Sequence, residues 1–246
     1  MNHYLSLLFL LFLFFLSCTQ SDHPDLLLNK LKISKSDYDE YLINRSDGFH
    51  RLSSINEKDS TYGIITVHGY YPTGWQTKGF EWVNPLLALS HREIPVWFFR
   101  YDWTGCPENS AGYLYRQTEI LIENNPHLDS LWIIGHSMGG LITSLFAENW
   151  DHDFPITIHS IAAPLAGMDR QMYGCEKIQG KEYKISSTVN YTQWRTVHSQ
   201  DGAFRKLTVD PQEVSIESGK SILLPEEWNN IRLGHNRSIQ WVCENF

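Results

Sequence analysis

The chain has 246 residues, of which 42% are hydrophobic and 20% charged, with a formal charge of −8 at pH 7. Length and composition suit one globular domain with a sizeable core. The acidic balance, with no long Lys/Arg run, argues against nucleic acid as a partner, because phosphate binding needs clustered cations. Nine Trp, twelve Tyr and twelve Phe are read first as core packing, with an apolar acyl or aryl site as their second use.

Residues 5–16 are almost wholly apolar. The run is shorter than the roughly 20 residues of a spanning helix and fits the apolar core of a secretory signal peptide. It departs from the usual pattern in having only His3, and no Lys or Arg, ahead of it. The run ends in Leu16-Ser17-Cys18. A small residue and then Cys at this point resembles a bacterial lipoprotein signal, although Phe15 stands where Leu is usual. The resemblance implies that residues 1–17 are removed and that Cys18 carries the lipid. The polar residues 19–24 then form a tether, so the chain is anchored to a membrane and does not span it. No Asp follows Cys18, which points to the outer membrane in a Gram-negative cell. Without lipidation the protein is secreted. Of the remaining cysteines, Cys106, Cys175 and Cys243, one pair closes in an oxidising compartment and one is left over. The spacing does not choose the pair. It also matches no metal site, so no metal is expected.

Residues 25–60 are mixed. Leu26-Leu27-Leu28 and Leu31 open a short helix, and one or two antiparallel strands follow. Tyr62-Gly63-Ile64-Ile65-Thr66-Val67 is a buried strand rich in β-branched residues. It runs into His68-Gly69-Tyr70-Tyr71. Residues 80–90 read as a helix interrupted near Pro85. Residues 94–99 are the next strand, ending in Arg100-Tyr101-Asp102-Trp103 at the sheet edge where ligands meet strand ends. Residues 104–110 are a turn-rich loop, and residues 111–123 an amphipathic helix stopped by Asn124-Asn125-Pro126.

The apolar run Leu131-Trp132-Ile133-Ile134 leads into Gly135-His136-Ser137-Met138-Gly139-Gly140, and a helical run follows from Leu141. Strand, Gly-x-Ser-x-Gly and helix are the setting of a nucleophile elbow. The sharp turn pushes the Ser137 hydroxyl clear of the sheet. Side chains two residues either side would collide, hence Gly135 and Gly139. The helix N-terminus offers N–H groups to a developing negative charge. With His68-Gly69 upstream and Gly234-His235 late in the chain, residues 60–246 resemble the lipase/esterase branch of the α/β-hydrolase superfamily.

That resemblance implies a mostly parallel sheet with helices on both faces and a small cap over residues 165–191, where Met168, Met172 and Tyr173 are candidates to face an acyl chain. Residues 18–60 supply the tether and early strands, and residues 61–246 the hydrolase domain. The loop after the His68-bearing strand supplies one oxyanion donor, the Tyr70 N–H, and Met138 N–H supplies the other. Trp103 is a candidate pocket wall. His68 is placed beside the substrate, more as a support of the loop than as a base, and His159, in mid-strand, is structural.

The strand at residues 192–197 leads to His198-Ser199-Gln200-Asp201. A carboxylate after this strand is where the family keeps its triad acid, so Asp201 is chosen over Asp210, Asp102 and Asp169. Two short strands follow at residues 213–216 and 220–224. His235, on a loop ahead of a C-terminal helix over residues 237–246, completes the order Ser, Asp, His. The expected activity is ester hydrolysis through an acyl-enzyme at the cell envelope, without a cofactor, on a lipid or smaller carboxylic ester. The same triad serves acyl transfer and amide hydrolysis. A non-catalytic binding protein on this fold is the reading from another class, against which all three triad positions are filled.

Overall fold

A computed structural model describes residues 25–32, 39–53, 55–58, 61–167, 175 and 182–246. The signal segment, Cys18, Met168, Asp169, Met172 and Tyr173 lie outside them. Among the described residues no helix is long and apolar enough to cross a membrane.

The strands are β1 (Leu26–Leu27), β2 (Gly48–Ser53), β3 (Tyr62–Val67), β4 (Val96–Arg100), β5 (Ser130–His136), β6 (Ile156–Ile161), β7 (Tyr183–Lys184), β8 (Val189–Arg195), β9 (Ile216–Glu217), β10 (Lys220–Leu223), β11 (Glu227–Trp228) and β12 (Ile231–Arg232). Eight form one sheet in the order β1-β2-β4-β3-β5-β6-β8-β10. Only β2, against β4, pairs antiparallel in it. Apolar side chains fill both faces of β3 and β5, as expected of parallel strands covered on both sides. The covers are α1 (Val83–Ser90), α2 (Pro107–Asn124), α3 (Met138–Asn149) and α4 (Gly234–Asn245). Helices α2 and α3 pack together on one face and α1 and α4 on the other.

The chain order reverses around β3. It steps from β3 to β4 on one side, then α2 carries it back to β5 on the other. Ligands of open α/β sheets bind beyond the strand ends at such a reversal. The loops after β3, β5 and β8 carry His68, Ser137 and Asp201 to that edge.

Four expectations change. Helix α2 begins at Pro107, four residues before the expected 111, because Pro at the first helical position loses no bond and starts the helix. Residues 26–53 belong to the domain itself: Leu26, Leu31, Leu42, Ile43 and Leu52 are fully buried, and β2 pairs with β4. Leu26–Leu27 is a strand, parallel to β2, and Leu28–Lys32 a 3-10 turn. At the other end, β8 starts at Val189, so residues 189–191 of the proposed cap lie in the main sheet, paired with β6.

Cys106 and Cys175 form the disulfide, and Cys243 is free and buried. Burial pushes the Cys243 thiol up, which keeps it unreactive. The disulfide joins the start of α2 to residue 175.

Candidate active site

Ser137 sits between β5 and α3 with φ 55° and ψ −120°. A non-glycine residue there costs about 1–3 kcal/mol and is held only by its surroundings. The holding contacts are local. Ser137 N–H donates to the Ile161 carbonyl at 2.8 Å, and Leu141 N–H to the Ser137 carbonyl at 3.1 Å. A Cβ on Gly135 would lie 2.4 Å from the Gly139 carbonyl oxygen, so the two glycines close the turn against each other.

The loop after β3 runs past the nucleophile. A Cβ placed on Gly69 would stand 3.1 Å from Ser137 Cβ. Met138 is the first residue of α3, so its N–H has no acceptor within the helix. The loop that carries Tyr70 thus lies against Ser137, and Met138 follows Ser137 at the start of α3.

His235 lies in the first turn of α4, not on a preceding loop. Its Nδ1–H donates to Asp201 Oδ2 at 2.9 Å, which leaves Nε2 as the basic nitrogen. Asp201 is fully buried. Its Oδ1 accepts the N–H groups of Ala203 (2.8 Å) and Phe204 (3.1 Å), and Oδ2 also accepts the Thr196 hydroxyl. Burial raises this carboxyl, but the hydrogen bond and charge of His235, with Thr196 and Ala203, outweigh it and hold it below the usual range. Gln212 supports the arrangement from behind: its Oε1 accepts Thr196 N–H at 2.9 Å, and its Nε2 donates to the Thr196 carbonyl at 3.1 Å. Asp210, the runner-up acid, accepts Gln212 N–H instead.

The helix that carries the base is tied at both ends. His136 Nε2–H donates to the His235 carbonyl at 3.2 Å, with the two rings 4.6 Å apart. Arg92 donates to the carbonyls of Phe246 (2.7 Å) and Cys243 (3.3 Å) at the far end. No local sequence signal assigns His136 a role, although it is the variable residue beside Ser137 in the motif. It binds His235 to the elbow directly.

His68 does not face a ligand. It is fully buried, with its ring stacked 4.3 Å from Tyr101 and its Nδ1–H donating to the Gly69 carbonyl at 2.7 Å. It shapes the loop that it begins. Trp103 is half-buried. Its indole N–H donates to the Tyr71 carbonyl at 3.1 Å, and its ring stands edge-on to His68 and Tyr71. It is a buttress of the same loop. Tyr71 in turn donates its hydroxyl to Glu81 Oε1 at 2.6 Å. Neither Tyr71 nor Glu81 carries a motif signal that could have revealed the pair. Asp102 stays exposed and its Oδ1 accepts the Thr104 N–H at 2.9 Å.

Among the described residues, Cys106, Glu108 and Cys175 lie at metal-ligand spacing, but the disulfide removes both thiolates.

Burial holds His68 down to about 3, His159 to about 4 and His136 well below the ordinary imidazole value. The unfolded chain, with histidines near 6.5, therefore binds more protons below that pH, and stability falls as pH falls. Glu81, pushed by burial up to about 7, has the opposite sign between about 4.5 and 7. Three groups oppose one, so the thermal midpoint is expected to drop between pH 7 and pH 4.5. Melts by circular dichroism across that range would check it, and a midpoint that rises on acidification would refute it.

With this geometry in view, similarity to solved structures defines the class of fold. A serine hydrolase without a lid from Xanthomonas campestris matches with TM-score 0.50 at 14% identity, over 80% of this chain and 87% of that one. The mature lipase BlEst2 of Bacillus licheniformis matches with TM-score 0.52 at 7% identity, over 78% of this chain and 92% of that one. No protein-family model matches the sequence, and no curated protein matches it. The chain has the α/β-hydrolase fold.

Proposed function

We propose that the protein is a serine ester hydrolase that works through an acyl-enzyme. The observation that carries this reading is the 2.9 Å bond from His235 Nδ1–H to the buried Asp201 carboxylate, on a helix end bonded to the residue before Ser137. The reading is supported, at the level of fold, by neighbours described as a serine hydrolase and a lipase.

In this mechanism His235 Nε2 takes the proton of Ser137 as Oγ attacks the ester carbonyl. Asp201 fixes the imidazole tautomer and stabilises the imidazolium. The carbonyl oxygen, now an oxyanion, receives hydrogen bonds from the backbone N–H of Met138 and Tyr70, each worth roughly 3–4 kcal/mol in the transition state. Collapse expels the alcohol, which takes its proton from His235. Water, activated by the same imidazole, releases the acid and restores Ser137.

The reaction belongs at the cell envelope, with the chain held there by lipid on Cys18 after removal of residues 1–17. The support for this location is the N-terminal sequence pattern.

Fluorophosphonates phosphonylate an activated serine: Oγ bonds to phosphorus and fluoride leaves. The wild-type protein is expected to gain one phosphonyl group on Ser137, seen by mass spectrometry, and Ser137→Ala none. A folded wild-type protein that takes no label would favour the binding-protein reading.

A further inference from the structure

The end of α4 that bears His235 also walls a cleft of about 240 Å³. Asn236 and Gln240 line it from α4, and Phe80, Glu81 and Asn84 from the opposite side, with Trp75 at the mouth, 49% exposed. Two links join the lining of the cleft to the active site. Asn236 follows His235 in the chain, and Glu81 accepts the hydroxyl of Tyr71, the neighbour of Tyr70 in the oxyanion loop.

The lining excludes several ligand classes. An acyl chain needs apolar surface, and three carboxamides and a carboxyl make up much of this wall, with Gln240 Nε2 also donating to Glu244 Oε1 at 2.7 Å. Arg237 is also in the wall, but its guanidinium donates to the carbonyls of Ile231 and Arg232 (3.0 Å each) and Trp228 (3.2 Å) and lies over the Trp228 ring. It is committed to the protein and makes a poor anion site. Its positive charge in the wall also disfavours a cation. What remains is an uncharged group with hydroxyls for the amides and the carboxyl, and C–H faces for Trp75 and Phe80. Asn84 Nδ2 and Gln240 Oε1 now meet each other at 3.4 Å, a long, exposed contact that ligand hydroxyls can replace. The volume is below that of drug-sized sites and suits a single small ring.

Chemistry sets which half of the ester enters. The leaving alcohol takes its proton from His235, so it departs on the imidazole side, and the acyl oxygen lies on the side of Met138 and Tyr70. Because Asn236 of its wall follows His235 on α4, the cleft is assigned to the imidazole side. We propose that it receives the alcohol half of the substrate, and that this alcohol is a polyhydroxylated ring of monosaccharide size. The inference rests on the Ser137–His235–Asp201 reading for its catalytic part, and on the cleft alone for its binding part.

The test has two arms. In the first, an acetyl ester of methyl glucopyranoside is compared with p-nitrophenyl acetate. The ratio of their kcat/KM values is expected to fall about tenfold in the double variant Asn84→Ala/Gln240→Ala, the loss of about one to two hydrogen bonds. An unchanged ratio would overturn the assignment of the alcohol half. In the second, saturation-transfer NMR follows methyl glucopyranoside itself on the Ser137→Ala protein, without turnover. Transfer from the protein, lost in the further variant carrying Asn84→Ala/Gln240→Ala, supports the subsite. No transfer, or transfer that survives those substitutions, overturns it. Failure of fluorophosphonate labelling strikes the hydrolase reading and leaves the second arm intact, so the two failures are separable.

Discussion

Ser137→Ala is expected to lower turnover by about 10⁶ while the protein stays folded. The hydroxyl is the attacking atom, and without it His235 has no proton to take. The oxyanion donors and substrate contacts survive, so a residual acceleration of about 10³–10⁴ over water should remain. Folding survives because the substitution removes one atom from a partly exposed site and keeps the Ser137 backbone bonds to Ile161 and Leu141. Alanine also keeps the strain of φ 55°, which Ser137→Gly would relieve. Both variants should be inactive, and glycine should melt at the higher temperature. Steady-state kinetics on p-nitrophenyl acetate with parallel melts would measure both effects. An alanine variant within tenfold of wild type would end the nucleophile assignment.

The elbow was legible in the sequence because its parts are local. The apolar strand, the glycines at two residues either side of Ser137 and the helical run are all adjacent in the chain. Asp201 and His235 were legible by chain order and by the element that precedes or follows each. What was missed is non-local. Gln212 steadies Thr196 and Asp201 across a loop, and the bond from His136 to His235 spans 99 residues. No local pattern encodes such pairings. The core role of residues 26–52 was hidden for the same reason: Leu26, Leu31 and Leu42 pack in the cluster built on α1 and α4, not against their sequence neighbours. The start of α2 failed differently. Pro107, Glu108, Asn109 and Ser110 carry turn-like composition, yet Pro and an acidic residue are also what a first helical turn favours. The two readings share the same letters, and packing of Ser110 and Ala111 into the core decides between them.

Gly139→Ala sets two forces of opposite sign against each other. Helix propensity alone favours the substitution, since alanine is about 1 kcal/mol better than glycine inside a helix, and Gly139 is the second residue of α3. Sterics oppose it. A Cβ there would lie 2.2 Å from the Val67 carbonyl oxygen, 2.4 Å from that of His68 and 2.8 Å from the Val67 carbonyl carbon. All three are backbone atoms at the end of β3, so no side-chain rotation relieves the clash. Either α3 backs away from the sheet or the end of β3 moves. Overpacking typically costs 1–3 kcal/mol, and contact with fixed backbone puts this case at about 3 kcal/mol or more. The clash also pushes on the strand that leads directly to Gly69 and Tyr70. Displacing one oxyanion donor should lower kcat by about 10²–10³ even in the molecules that fold. Gly202→Ala is the control, because nothing lies within 4 Å of a Cβ built there. Urea titration of the two variants, with kcat measured on the folded fraction, gives both readouts. If Gly139→Ala proved as stable as wild type and fully active, α3 would not sit against the end of β3 as it does here, and the placement of the oxyanion loop beside Ser137 would fall with it.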